Sequence, residues 1–115
     1  MNSTHSHSSL QARTFSCLII EDDADFARLL GDVVEDEGGE AVTCGCLRDA
    51  RKRMVERSFD VLVLDNHLPD GKGFQFFLEL AGHDPSQTVI VLTGLGTLDN
   101  AVKAAKDFAA KNDDT

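Results

Sequence analysis

The chain lacks any long apolar run, and it has few basic residues for its size. No stretch of its 115 residues approaches the roughly 18 apolar positions that a transmembrane helix requires. The N-terminus is polar, so it does not have the apolar segment of a secretory signal. The 11 basic residues are outnumbered by 20 acidic ones, and the formal net charge is −9. This balance disfavours nonspecific binding to nucleic acid or to anionic membranes, and it favours cations or basic partner surfaces.

Cysteine is also scarce, and its spacing is not typical of a disulfide framework or a metal site. Cys17 lies in an apolar run, and a single glycine separates Cys44 from Cys46. That pair is too close for an ordinary zinc site, and the sequence has no second pair that would complete four ligands. We therefore expect free, buried or half-buried thiols in a protein of the reducing cytoplasm.

The length allows one domain with one hydrophobic core. Residues 1–13 are rich in Ser and His and contain a single Leu, so they cannot bury much apolar surface. We expect them to form a disordered tail. Residues 14–115 would then form the folded domain.

From Phe15 onwards, apolar strand-like runs alternate with amphipathic helical patterns. Strands are expected over four runs, which are Phe15–Ile20, Glu40–Cys44, Phe59–Leu64 and Thr88–Leu92. The second run is the least apolar, which favours a place at the edge of a sheet. Apolar residues at spacings of three and four follow each strand and predict four helices, the last one over residues 98–108. This order predicts an α/β fold, with a parallel sheet and helices on both of its faces.

Polar side chains follow three of the predicted strands at the point where each strand ends. Glu21 and Asp22 follow the first strand, Asp65 follows the third, and Thr93 follows the fourth. Because the carboxyl ends of parallel strands meet at one edge of a sheet, a single cleft can gather these groups. Carboxylates in one cleft repel each other, so without a cation at least one of them would hold a proton.

A hard divalent ion would relieve this repulsion, and Mg²⁺ fits best because it prefers oxygen ligands and shares phosphate oxygens with a substrate. Asp65 would then be able to act as a nucleophile toward phosphorus, and the Thr93 hydroxyl to donate a hydrogen bond to a phosphoryl oxygen. The alternative is purely structural. In that case Glu21 and Asp22 begin a helix, and Asp65 is a turn former.

Four segments together resemble the receiver domain of bacterial two-component response regulators. They are Leu18–Asp23, Val61–Asp65, Leu68–Gly73 and Val91–Gly94. The resemblance extends from Phe15 to about Lys106. It implies a flavodoxin-like, doubly wound parallel sheet and a cytoplasmic phosphorelay protein. It also implies a protein that is not an enzyme, beyond Mg²⁺-dependent phosphorylation and dephosphorylation of itself.

The resemblance implies how this chain would handle a phosphoryl group. Asp65 would accept it from a sensor histidine kinase or a phosphotransfer protein, and the chain would then switch a partner or an output domain. Thr93 would be the switch hydroxyl that moves toward the phosphoryl group. The side chains of His67 and Leu95 would flank it.

The resemblance also implies a Mg²⁺ site. Its ligands would be Glu21, Asp22 and Asp65, together with the backbone carbonyl of His67. Within the acidic pair after the first strand, Asp22 would be the direct ligand. Asp23 lies one position beyond that pair and is not included.

The sequence departs from the family pattern after the fourth helix. Receivers continue into a fifth strand that ends in Lys-Pro and into a fifth helix, whereas this sequence ends at Thr115. The family's catalytic lysine has no match, because Lys111 would follow a helix rather than a strand. We therefore expect a C-terminally truncated receiver over residues 14–115, with four strands and four helices. Its fourth strand would be an exposed edge, which favours a homodimer or a dimer that swaps elements.

Two other functions stay open. A degenerate receiver would act as a protein-interaction module that does not depend on phosphorylation. A phosphatase of the haloacid dehalogenase type also uses an Asp after a strand, but it has a second Asp two positions later, where this sequence has His67. Nothing in the sequence resembles a helix-turn-helix, so we expect no contact with nucleic acid through this domain.

Overall fold

Strands and helices alternate in the order that the sequence predicts. A computed structural model of the chain describes residues 14–92 and residue 106. The elements within them are β1 (Phe15–Ile20), α1 (Ala24–Asp36), β2 (Gly39–Cys44), α2 (Leu47–Glu56), β3 (Val61–Asp65), β4 (His67–Leu68), β5 (Gly71–Lys72), α3 (Gly73–His83) and β6 (Thr88–Leu92). The predicted fourth strand is therefore β6. Residues 1–13, predicted as a tail, and all of the predicted fourth helix except Lys106 lie outside the described residues.

Four of the strands form one parallel sheet in the order β2-β1-β3-β6. This is the order of a flavodoxin-like, doubly wound sheet, and the predicted fold class is confirmed. Strand β1 pairs with both β2 and β3, and its residues Cys17–Ile20 are almost completely buried. Such burial on both faces is typical of a central parallel strand. Strand β2 lies at the edge, as its polar residues predict.

The core has two layers, one on each face of the sheet. Helix α1 packs on one face, and helices α2 and α3 pack on the other. The buried residues of the first layer are Phe15, Cys17, Ile19, Ala27, Leu30, Val34, Val61, Val63 and Leu92. Those of the second layer are Leu18, Ile20, Leu47, Ala50, Phe59, Leu62, Leu64 and Phe76. Each fully buried aliphatic or aromatic side chain contributes about 1.5–3 kcal/mol, so these layers hold the sheet and helices as one body.

Helices α1, α2 and α3 are held in position mainly by packing rather than by surface charge. Arg51 of α2 pairs with Glu79 of α3 at 2.8 Å, but both side chains are about half exposed. Such exposed pairs contribute roughly 0–1 kcal/mol. None of the helices within residues 14–92 has the length and apolar character that crossing a bilayer requires.

All three cysteines are free thiols, as predicted. Cys17 is buried within β1, and this burial raises the pKa of its thiol to about 12. Cys44 is half-buried at the end of β2, and burial is also the main cause that raises its pKa to about 11. Because the thiolate is the reactive form, the raised pKa values disfavour reaction of these two thiols at neutral pH.

The loop after β3 contains a short antiparallel pair that the sequence does not predict. His67–Leu68 pairs with Gly71–Lys72, and Pro69 and Asp70 form the turn between them. Strands of two residues are too short to give a periodic pattern, and Pro and Gly indicate only a turn. Strand β3 also begins at Val61 rather than at Phe59, and it includes Asp65 as its last residue.

Gly73 begins α3 directly beside the end of β3. A Cβ atom at this position would overlap the backbone carbonyl oxygen of Asp65, and it would lie 3.0 Å from Cγ of Leu64. The N–H of Gly73 donates a hydrogen bond to the carbonyl of Asn66 at 3.0 Å. The absence of a side chain therefore sets how closely α3 approaches the strand that carries Asp65.

We expect Gly73→Ala to lower the free energy of unfolding by about 2 kcal/mol, because the helix and the strand end must move apart. Gly82→Ala is a matched control in the same helix, since an added Cβ would meet no atom of the described residues within 4 Å. The control should stabilise the protein by up to about 1 kcal/mol through helix propensity. Urea unfolding measures both changes. A Gly73→Ala protein as stable as the wild type would contradict the close approach.

Candidate functional site

Three carboxylates from two strand ends meet at the carboxyl edge of the sheet. Glu21 and Asp22 follow β1 directly, and Asp65 ends β3. One oxygen of each residue lies within 4.8 Å of the other two. The two strands are neighbours, with Ile20 paired to Leu64, so the residues that follow or end them come together. An oxygen-only set with this spacing fits a hard divalent cation such as Mg²⁺.

Glu21 is the buried member of this cluster, with 7% of the residue exposed, whereas Asp22 is exposed. Burial is the main cause that raises the pKa of Glu21 to about 7. The N–H of Asp23, which donates to Oε2 at 3.0 Å, opposes this increase, and the charge of Asp65 adds to it. The sequence predicts that a crowded carboxylate holds a proton, and Glu21 has the pKa for that role. Burial raises this pKa more than repulsion by the neighbouring carboxylates does.

Asp23 lies beside the cluster but serves as the N-cap of helix α1. Its Oδ1 accepts hydrogen bonds from the N–H groups of Asp25 and Phe26, each at 3.1 Å. A side chain in this position satisfies backbone donors that have no partner within the helix. The role agrees with the exclusion of Asp23 from the ligand set.

Asp65 is half-buried, and the loop that follows it bends back toward its carboxylate. The N–H of His67 lies 3.4 Å from Oδ1 of Asp65, which is a long hydrogen bond. The imidazole of His67 is exposed, and its Nδ1 lies 2.9 Å from Nζ of Lys72. The β4–β5 pairing creates this second contact, since it places residues 67 and 72 opposite each other. It brings a cation into the loop next to Asp65.

Two residues of this loop have roles that the sequence does not predict. Oδ1 of Asn66 accepts a hydrogen bond from the N–H of Phe74 at 3.0 Å and so holds the start of α3. Asp70 accepts hydrogen bonds from the N–H groups of Leu47 and Arg48, at 2.8 and 3.0 Å, and so caps α2. The only sequence signal for either residue is its type, since Asn and Asp are the common helix caps.

The remaining predicted residues of the site are Thr93 and Leu95, and both lie outside the described residues. Lys111, which the sequence pattern does not match to the family's catalytic lysine, also lies outside the described residues. Of the predicted site residues within 14–92, the structure brings together Glu21, Asp22 and Asp65, with His67 in the adjoining loop.

We expect the metal-free protein to lose the Glu21 contribution to stability as the pH rises. The folded protein holds this proton more tightly than the unfolded chain, in which the pKa is near 4.5. The contribution is therefore complete below pH 4.5 and is lost as the pH rises through about 7. Thermal unfolding with a chelator, at about pH 5 and about pH 8, should show a larger decrease in Tm for the wild type than for Glu21→Gln. Equal decreases in the two proteins would contradict the raised pKa.

Known proteins share this fold and sequence pattern. A family model described as the response regulator receiver domain matches residues 17–112. The response regulator protein PilR of Pseudomonas aeruginosa is 29% identical over 98 residues, which cover 82% of this chain and 22% of PilR. The acid tolerance regulatory protein ActR of Rhizobium meliloti is 31% identical over 100 residues, which cover 84% of this chain and 52% of ActR. The chain thus spans between about a fifth and about a half of these curated relatives.

A solved structure gives the same result. The receiver domain of NtrC4, solved as a beryllofluoride-activated dimer, is 33% identical to this chain. Its TM-score is 0.64, and the comparison covers 76% of this chain and 75% of that one. The family model covers most of the sequence, and the sheet order and the acidic edge agree with it. This chain therefore belongs to the response regulator receiver domain family of two-component systems.

Proposed function

We propose that this chain accepts a phosphoryl group on Asp65 in a Mg²⁺-dependent reaction and then switches a partner or an output domain. Receiver domains are in general signalling modules rather than enzymes, and the family interacts with histidine kinases and output domains. The observation that carries the proposal is the meeting of three carboxylates within 4.8 Å of one another at the carboxyl edge of the sheet. A helix start and a turn would not require carboxylates at all three positions, since other polar residues serve in caps and turns.

The Mg²⁺ ligands in this proposal are Glu21, Asp22, Asp65 and the backbone carbonyl of His67. The donor set fits, because all of its atoms are oxygens and because Asp22 is exposed, which leaves room for the waters that Mg²⁺ keeps. Bound there, the ion would neutralise charge on the phosphoryl oxygens. The raised pKa of Glu21 adds a pH dependence, since a proton competes with the cation below about pH 7.

Asp65 is the nucleophile in this proposal. One of its carboxylate oxygens forms a bond to phosphorus while the P–N bond to the donor histidine breaks, and the electron pair passes to the donor imidazole. Phosphoryl transfer depends mainly on in-line positioning and charge neutralisation. Two features of the chain serve the positioning. The end of β3 fixes the backbone of Asp65, and the N–H of His67 lies beside its Oδ1.

Thr93 is the proposed switch hydroxyl. It follows Leu92 in sequence, and Leu92 pairs with Asp65 in the sheet. Its hydroxyl would donate a hydrogen bond to the phosphoryl group and so favour one of two arrangements of the loop after β6. In this way phosphorylation of Asp65 would change the conformation of a surface that a partner contacts.

We further propose that the phosphoryl donor is a sensor histidine kinase or a phosphotransfer protein of the cytoplasm. The three free thiols suit that reducing compartment. A homodimer is a proposed product of activation, since the NtrC4 receiver domain is a dimer in its beryllofluoride-activated form.

Incubation with acetyl phosphate and Mg²⁺ tests the proposal directly. The intact mass of the wild type should increase by one phosphoryl group, and the mass of Asp65→Asn should not change. Asp84→Asn is the matched control, because it makes the same chemical change just before β6, at the opposite edge of the sheet. It should be phosphorylated like the wild type. Chelation of Mg²⁺ should suppress the mass increase in the wild type and in Asp84→Asn.

A different outcome would favour the interaction module. In that case the wild type would gain no mass, and Mg²⁺ would not change its melting temperature. The acidic edge would then serve only to contact partners, without phosphorylation.

A further inference from the structure

We propose that Asp70 is a positioning residue for the metal site, which caps helix α2 and thereby fixes the loop that carries the His67 carbonyl. This inference rests on the proposed function, because it concerns the same Mg²⁺ site. Asp70 does not act as a ligand in it. Its carboxylate accepts hydrogen bonds from the start of α2, and it acts on the metal site by fixing the backbone of the loop.

The cap itself is well defined. Helix α2 begins at Leu47, and in the described part of the chain the side chain of Cys46, the residue before it, forms no capping hydrogen bond. Oδ1 of Asp70 accepts from the N–H of Leu47 at 2.8 Å, and Oδ2 accepts from the N–H of Arg48 at 3.0 Å. Hydrogen bonds from backbone N–H groups to a carboxylate are charge-assisted, and a negative charge at a helix N-terminus is favourable. The same two bonds lower the pKa of Asp70.

The turn that carries Asp70 packs directly against the start of α2. It joins β4 to β5, and its next residue is Gly71. A Cβ atom on Gly71 would lie 2.8 Å from Cδ1 of Leu47, and the φ angle of Gly71 is +155°, which few other residues adopt. Because β4 and β5 are hydrogen-bonded in register, the cap also fixes His67, which lies opposite Lys72.

The other half of the proposed metal site, Glu21 and Asp22, also contacts the segment that leads into α2. The N–H of Glu21 donates to the carbonyl of Cys44 at 2.9 Å. A Cβ atom on Gly45 would lie 3.9 Å from Cα of Asp22. The segment that leads into α2 thus touches the loop with Glu21 and Asp22, while Asp70 attaches the loop with His67. Loss of Asp70 would release the second loop and leave the first in place.

A cap that contributes only to stability would not alter Mg²⁺ binding by the folded protein, and this difference defines the test. Asp70→Ala removes both acceptors, whereas Asp70→Asn keeps one oxygen and replaces the other by a group that cannot accept a hydrogen bond. Asp84→Ala is the matched control. It removes a carboxylate that accepts from the N–H and the hydroxyl of Ser86, at 3.3 and 2.7 Å, near the start of β6.

Calorimetric Mg²⁺ titration of the folded proteins, with amide exchange at Leu47 and Arg48, is the experiment. We expect Asp70→Ala to bind Mg²⁺ about 10-fold more weakly than the wild type. This is the lower end of the loss in metal affinity that follows when a residue that orients the ligands is removed. Asp70→Asn should show a smaller loss, and Asp84→Ala should bind like the wild type. Exchange at the two amides should accelerate in the Asp70 variants alone.

The outcomes separate this inference from the proposed function. Faster exchange at Leu47 and Arg48 with unchanged Mg²⁺ affinity would overturn the inference, while Asp65 would still be phosphorylated by acetyl phosphate. A wild type that binds no Mg²⁺ and gains no phosphoryl group would overturn both. If Asp70→Ala does not fold, Asp70→Asn decides by the same two measurements.

Discussion

The parallel pairing of β1 with β3 is the interaction on which the candidate site depends. Its register aligns Ile20 with Leu64, so the chain leaves both strands at the same edge of the sheet, and Glu21 meets Asp65 there. Both aligned residues are fully buried. A shift of one residue would move every apolar side chain of the strand to the other core layer, so close packing favours the observed register. Hydrophobic packing thus determines where the carboxylates lie, although the carboxylates themselves do not stabilise the core.

The cost of this placement falls on Glu21. A buried carboxyl near two other carboxylates is an unfavourable arrangement for the folded protein, because burial and the neighbouring charges disfavour the ionised form and raise its pKa to about 7. A fold selected for stability alone would have an apolar or a hydrogen-bonded neutral side chain at this position. Local rules of stability are commonly broken where a protein binds or reacts, so the arrangement supports a cation site. The same cation would remove the penalty.

The sequence is sufficient for the fold and for the acidic cluster, but not for the contacts that hold the cluster. Each strand is an apolar run of its own, and the acidic residues directly follow or end such runs, so topology alone brings them together. Glu21 and Asp22 are adjacent and chemically alike, and no local pattern indicates that the first is buried and the second exposed. The contact of Asp70 with α2 joins segments more than 20 positions apart, and spacing cannot predict it. The Lys72–His67 contact depends in the same way on the β4–β5 pair.

The starts of α1, α2 and α3 share one arrangement at this edge, and it explains why the loops beside them are well placed. Asp23 caps α1, Asp70 caps α2, and Asn66 holds the first turn of α3. Each of these residues belongs to a loop that carries a proposed site residue. Helix N-termini carry partial positive charge, so these helices also point favourable dipoles toward the acidic edge. The positions of the proposed ligands are therefore tied to α1, α2 and α3 through backbone hydrogen bonds. A phosphoryl group or a cation bound at this edge would act on these helices rather than on one loop.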